Sequence, residues 1–170
     1  RDGGLGAGLL AEVQAHLARV SLAAHEVWVE WTAARLGAGL AASLARDSEL
    51  AASAAPRVWE ETVVQQGAGG AGGEMRFKLP GSPSPYALTF LLSACRELQC
   101  AGAHLVDLQV LRLLEWELGR AVLRAYEGAV APRGALDGKG RLSDKGALQV
   151  LMDVRFLADV LSGGADTRKT

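Results

Sequence analysis

The chain has no isoleucine and no asparagine. Without asparagine there is no acceptor for N-glycosylation. Basic charge comes overwhelmingly from arginine, so coding bias in a GC-rich genome explains these gaps better than any structural demand. The same bias inflates alanine and glycine, which makes alanine-rich runs weaker helix evidence than usual. An excess of either charge is also missing: the formal net charge is −1, which argues against nucleic-acid binding driven by bulk charge. Long hydrophobic runs are absent as well. The longest uncharged stretch, Leu79 to Cys95, carries Pro80, Pro83 and Pro85 and reads as a loop feeding a helix rather than a membrane span.

The start, Arg1-Asp-Gly-Gly, offers no apolar core with a cleavage site, so no secretory signal is visible. It also lacks an initiating Met, and the expectation is a portion of something longer. Cysteine is scarce. Cys95 and Cys100 are five apart, which on one helix turns them about 140° from each other. With His104 they make a Cys-Cys-His trio, but reduced thiols are the better reading than zinc. Cys95 is expected on the core face, as a small hydrophobe.

At 170 residues the chain is long enough for one domain, burying roughly 70% of its unfolded surface. Residues 1–55 form an Ala/Leu-rich helical segment. Gly37-Ala-Gly39 interrupts it, and both two helices and one kinked helix fit. Trp28, Trp31 and Arg35 share a face there, a pattern more often core than docking site. Residues 56–82 read as a small hairpin. Val58-Trp-Glu-Glu-Thr-Val-Val64 is rich in β-branched residues, and Glu74-Met-Arg-Phe-Lys-Leu79 alternates strictly, with Met75, Phe77 and Leu79 on one half-buried side. A glycine-rich linker, Gly67–Gly73, joins them.

Residues 83–162 are expected to form a three-helix core. Ser84 caps the first helix with Pro85 at its first position; Ala87, Leu91, Ala94, Cys95 and Leu98 line its buried face, and Gly102 ends it. Asp107 caps the second, which closes at Gly128 and buries Val110, Leu111, Leu114, Leu118, Ala121 and Val122. A loop spans Ala129–Leu142. Ser143 caps the last helix, Gly163-Gly164 stops it, and residues 163–170 are a frayed tail. This last helix is apolar on almost every face. Ala147, Val150, Leu151, Val154, Leu157 and Leu161 form one stripe. Leu148, Met152 and Phe156 form another, set apart by Gln149, Arg155 and Asp159. A helix of that kind is the inner member of a bundle or one awaiting a partner.

No catalytic constellation emerges. Gly67-Ala-Gly69-Gly-Ala-Gly72 has the letters of a dinucleotide fingerprint, but a strand pattern follows where the phosphate needs a helix N-terminus. His16, His25 and His104 are scattered. Glu115 and Glu117 face apart on a helix, and Glu60-Glu61 reads as solvated charge. On the polar side of the second core helix, Arg112, Trp116, Arg120 and Leu123 recur at helical spacing. Arg and Trp favour protein interfaces, although Trp116 packed on a neighbouring helix beside an Arg112–Glu115 pair fits equally well.

Three passages resemble the subunit 1 family of the conserved oligomeric Golgi complex. They are Leu79-Pro-Gly-Ser-Pro-Ser-Pro-Tyr-Ala entering Leu91-Leu-Ser-Ala-Cys-Arg-Glu-Leu, then Val122-Leu-Arg-Ala-Tyr-Glu127, then Lys145-Gly-Ala-Leu-Gln-Val-Leu-Met-Asp-Val-Arg-Phe-Leu157. The third is the most specific, and Trp59-Glu-Glu with Met75-Arg-Phe-Lys is similar to the family segment just before. The likeness covers residues 78–169 well and the part before Trp59 poorly. Family members are several times longer, and the Gly67–Gly73 linker departs from their more acidic one.

The resemblance implies an all-α fold, a helical bundle or rod of the multisubunit-tethering type with a small β-hairpin insertion. It also implies a non-enzymatic scaffold, peripheral on the cytoplasmic side of the Golgi, acting in intra-Golgi retrograde transport. Its partners would be other subunits, with SNAREs, small GTPases and coat proteins as further candidates, and it would need no cofactor. Candidate interface residues are Arg112, Trp116, Arg120 and Leu123, together with Leu148, Met152, Arg155 and Phe156. A small helical ligand-binding or enzymatic domain and an unrelated helical adaptor are the alternatives. Leu151→Asp is expected to break the fold, and Trp116→Ala to spare helicity while weakening a partner.

Overall fold

A computed structural model describes residues 3–51, 59–65, 74–102, 106–131 and 142–163. The fold is all-α, a helical rod with one small hairpin. Its elements are α1 (Gly3–Arg46), a 3₁₀ turn (Ser48–Leu50), β1 (Trp59–Gln65), β2 (Glu74–Pro80), α2 (Pro85–Cys100), α3 (Leu108–Val130) and α4 (Asp144–Leu161).

The first helix is single and unbroken. Gly37 does not divide it, because it serves as a contact: a Cβ there would lie 2.8 Å from the Cβ of Ala121 on α3. The missing side chain lets the two helices approach, which offsets the propensity penalty of about 1 kcal/mol. From Val29 onward α1 buries Val29, Ala33, Leu36, Leu40 and Leu44 in one core with Val110, Leu114, Leu118 and Val122 of α3, Ala87, Phe90 and Ala94 of α2, and Val150 and Leu157 of α4. The α1 and α3 sets recur every three or four residues, which keeps each on one face. Trp31 is not core as its spacing suggests. It is 55% exposed, and Arg35 stacks over its ring at 4.9 Å while pairing with Glu97 of α2 at 2.6 Å. Trp28 packs partly against the core.

Asp107 and Ser143 cap as their sequence context predicts, accepting from Gln109 and Gly146 respectively. Ser84 departs from expectation. It occupies the cap position ahead of Pro85 with no side-chain cap bond, because its environment is the protein interior. Gly102 and Gly163 follow the ends of α2 and α4 at φ 79° and 70°, the left-handed conformation glycine tolerates. Gly128 does not stop α3, which continues to Val130, where the Ala131 N–H reaches the Glu127 carbonyl. Cys95 is exposed rather than on the core face: Phe90 and Ala94 turn the buried side of α2 away from it.

β1 and β2 are antiparallel, with Trp59 opposite Pro80 and Thr62 opposite Phe77. The expected half-burial is not found. Val63, Phe77 and Leu79 are all exposed, and the hairpin touches the helices chiefly where β2 meets α4. An isolated hairpin is marginal in water, so its anchorage at that base matters. The glycine-rich linker and His104 lie outside the described residues, as does most of the loop after α3.

The last helix is not an inner member. Its buried side is Gly146, Gln149, Val150, Asp153 and Leu157, while Leu151 is 64% exposed and Ala147 is exposed too. Gln149 and Asp153 take interior positions while Ala147 and Leu151 of the expected stripe turn outward, for the reason given next.

Candidate functional site

Asp153 is fully buried, and a buried carboxylate is tolerated only where hydrogen bonds replace its water. One of its oxygens, Oδ1, accepts the backbone N–H of Ser84 at 2.7 Å and Nε2 of Gln149 at 3.0 Å. The other, Oδ2, accepts the Tyr126 hydroxyl at 3.2 Å. Gln149 also donates to the Ser82 carbonyl at 3.1 Å. The carboxylate therefore ties the loop entering α2, the last turns of α3 and the middle of α4 at one point. Beside it sits Tyr86, whose phenol is pushed well above its ordinary range, chiefly by burial and further by the nearby Asp153 and Asp47 carboxylates. A second clamp lies at the N-terminal end of α4. The Leu50 carbonyl accepts both the backbone N–H and the hydroxyl of Ser143, each at 3.0 Å. Gly146 lies so close to that carbonyl that a Cβ has no room.

All of these groups hold structure. The carboxylate has no access to a solute, and among the described residues no three His, Cys, Asp or Glu side chains stand together as a metal would require. Spacing alone does not reveal the node. The available signal is Gln149 and Asp153 standing four apart, polar, within an otherwise apolar run.

The surface candidates divide in two. Arg112, Trp116, Arg120 and Leu123 line one groove of about 430 Å³ between α3 and α4, closed on the α4 side by Val154, Ala158 and Leu161. Trp116 is 65% exposed and does not pack into a neighbour. Arg120 pairs with Glu117 at 2.8 Å, one turn before it. The other four do not join this groove. Leu148, Met152 and Phe156 lie on the opposite flank of α4, beyond the exposed crest of Leu151 and Arg155, and Phe156 packs partly against the core. A larger cleft of about 700 Å³, absent from the sequence-based candidates, opens between α1 and α2 beside Arg35, Arg46, Asp47 and Tyr86.

Among the described residues no helix is long and apolar enough to cross a membrane. The resemblance read from the three passages is borne out by comparison with known proteins. Human conserved oligomeric Golgi complex subunit 1 is 29% identical over 161 residues, or 94% of this chain, and the mouse subunit is 28% identical over 156 residues, or 91%. The chain spans 16% of the length of either relative, so the likeness is to a portion of that subunit. No family model matches, and no solved structure matches.

The three passages converge in the fold. Ser84 and Tyr86 belong to the first, Tyr126 to the second, and Gln149 and Asp153 to the third. Each residue of the buried node thus falls within one of the three passages.

Proposed function

We propose that this chain is a non-enzymatic building portion of a Golgi vesicle-tethering subunit, acting in intra-Golgi retrograde transport by binding other subunits through helix faces. The observation that carries this reading is the match to the Golgi complex subunit across nearly the whole chain. The chemistry agrees with it: the polar cluster around Asp153 is sealed and structural, whereas the apolar groove at Trp116 is open. Arg112, Trp116, Arg120 and Leu123 supply the anchor types that protein interfaces favour. On this reading the protein sits on the cytoplasmic face of Golgi membranes as a peripheral component. SNAREs, small GTPases and coat proteins are further candidate partners beyond the complex itself.

Co-purification of the other complex subunits with the wild-type chain and with Trp116→Ala tests the reading. The expected result is loss of at least one subunit with the circular dichroism spectrum unchanged. Retention of every subunit by the variant would remove the groove from the proposal, and capture of none by the wild type would remove the tethering role.

A further inference from the structure

The turn that carries the chain from β2 into α2 reads Pro80-Gly-Ser-Pro-Ser-Pro85, two Ser-Pro dipeptides in succession. Proline lacks a backbone N–H and holds the residue before it in extended backbone. A serine presented in that way is what a proline-directed serine/threonine kinase accepts. The fold treats the two serines oppositely. Ser84 is 0% exposed, and Asp153 holds its backbone N–H at 2.7 Å. Ser82 is exposed, in a stretch that is neither helix nor strand. Its hydroxyl makes no hydrogen bond among the described residues. Its carbonyl accepts Nε2 of Gln149 at 3.1 Å, so the backbone is anchored while the side chain stays in water.

We propose that Ser82 is a phosphorylation site for a proline-directed serine/threonine kinase, and that the phosphate loosens the root of the hairpin. In the transfer, Ser82 Oγ bonds to the γ-phosphorus of ATP and the bond from that phosphorus to the bridging oxygen breaks. ADP leaves, and the hydroxyl proton passes to the kinase's carboxylate base. The product carries about −1.5 to −2 charges at pH 7. Two carboxylates already lie against this turn. Glu60 of β1 packs on Gly81, where a Cβ would stand 3.0 Å from its Oε1. Asp153 holds the Ser84 N–H and, through Gln149, adjoins the Ser82 carbonyl. A phosphate one residue from Gly81 therefore lies within the screening length of about 10 Å at 0.1 M salt, and repels both. Asp153 is buried and fixed by the donors of Ser84, Gln149 and Tyr126, so the displacement falls on the strand that carries Glu60. That strand has little to resist it, since Val63, Phe77 and Leu79 of the hairpin are all exposed. The site is independent of the Golgi reading, since it follows from this turn alone.

Incubation of the folded chain with a purified mitogen-activated protein kinase and ATP, followed by peptide mass spectrometry, tests the assignment. The expected result is a single phosphoryl group on Ser82, lost in Ser82→Ala and in Pro83→Ala, with Ser84 unmodified. No incorporation into the folded chain overturns the site, even if a synthetic peptide of residues 78–88 is labelled. Phosphate on Ser84 in place of Ser82 overturns it as well. The effect on the hairpin is read by amide exchange of the phosphorylated and unmodified chains. Exchange in residues 59–65 and 74–80 is expected to quicken several-fold on phosphorylation while α3 is unchanged, and Glu60→Gln is expected to shrink that difference. Equal exchange with and without the phosphate, or a difference that Glu60→Gln leaves intact, overturns the proposed loosening.

Discussion

Asp153 Oδ1 accepts the backbone N–H of Ser84 at 2.7 Å across 69 residues of sequence, and this contact fixes the start of α2 on the middle of α4. Neither residue performs its conventional task. Ser84 stands at a helix cap with no side-chain cap bond, and Asp153, an ionisable residue of the kind found mostly on surfaces, lies fully buried.

Removing the carboxylate strands several donors at once. Asp153→Ala is expected to destabilise the fold by at least about 1.5–3 kcal/mol, the range for hydrogen bonds to a charged group, and Asp153→Asn by less because it keeps the shape and part of the acceptor set. Urea denaturation with the midpoint shifted and the slope unchanged checks this.

Tyr86 sets an alkaline limit. Its folded pKa is raised above the ordinary value of about 10, so above that pH the unfolded chain loses the proton while the folded chain keeps it. Folding stability from this group is therefore complete below about pH 10 and declines as pH rises through it. Tyr86→Phe removes that decline. The stability difference between wild type and variant, followed by denaturation from neutral to strongly alkaline pH, is expected to shift in favour of the variant as pH rises.

Two leucines of α4 separate burial from periodicity. Leu157 is 0% exposed, and Leu157→Ala is expected to cost about 2–5 kcal/mol. Leu151, by contrast, is mostly in water, so Leu151→Asp is expected to stay within about 0.5 kcal/mol of wild type. Thermal melts of both variants decide between this pattern and the sequence-based expectation that Leu151→Asp breaks the fold.

Two glycines, one in close contact and one in open space, separate contact from propensity. Gly146→Ala is expected to lower the melting temperature because its Cβ collides with the Leu50 carbonyl, a backbone group with little freedom to move. Gly39→Ala on α1, where a Cβ meets nothing within 4 Å, is expected to raise stability by about 0.4–1 kcal/mol through the unfolded chain. Calorimetry on the pair shows whether contact or propensity governs each site.

Much of the fold is legible in the sequence because its signals are local. The caps at Asp107 and Ser143, the stripe from Val110 to Val122, and the alternation of β2 depend on neighbours within a turn or a pair of residues. The departures arise where distant segments meet. Gly37 looks like a breaker until Ala121 lies beside it, and Gln149 and Asp153 look like solvated residues until Ser84 and Tyr126 surround them. Trp116 is ambiguous by type, since interiors and interfaces select the same side chains, and only its exposure separates the two.

Leu50 and Ser84, the points of the helical body on either side of the hairpin, are both held by the same short helix, through Ser143 at one end and Asp153 further along. The fourth helix thus behaves as the pin of a hinge plate. If it peels away, the excursion that contains the hairpin is freed at both roots together, so protease cuts and amide exchange in those two regions should rise in concert, well before the long packing of the first helix on the third gives way.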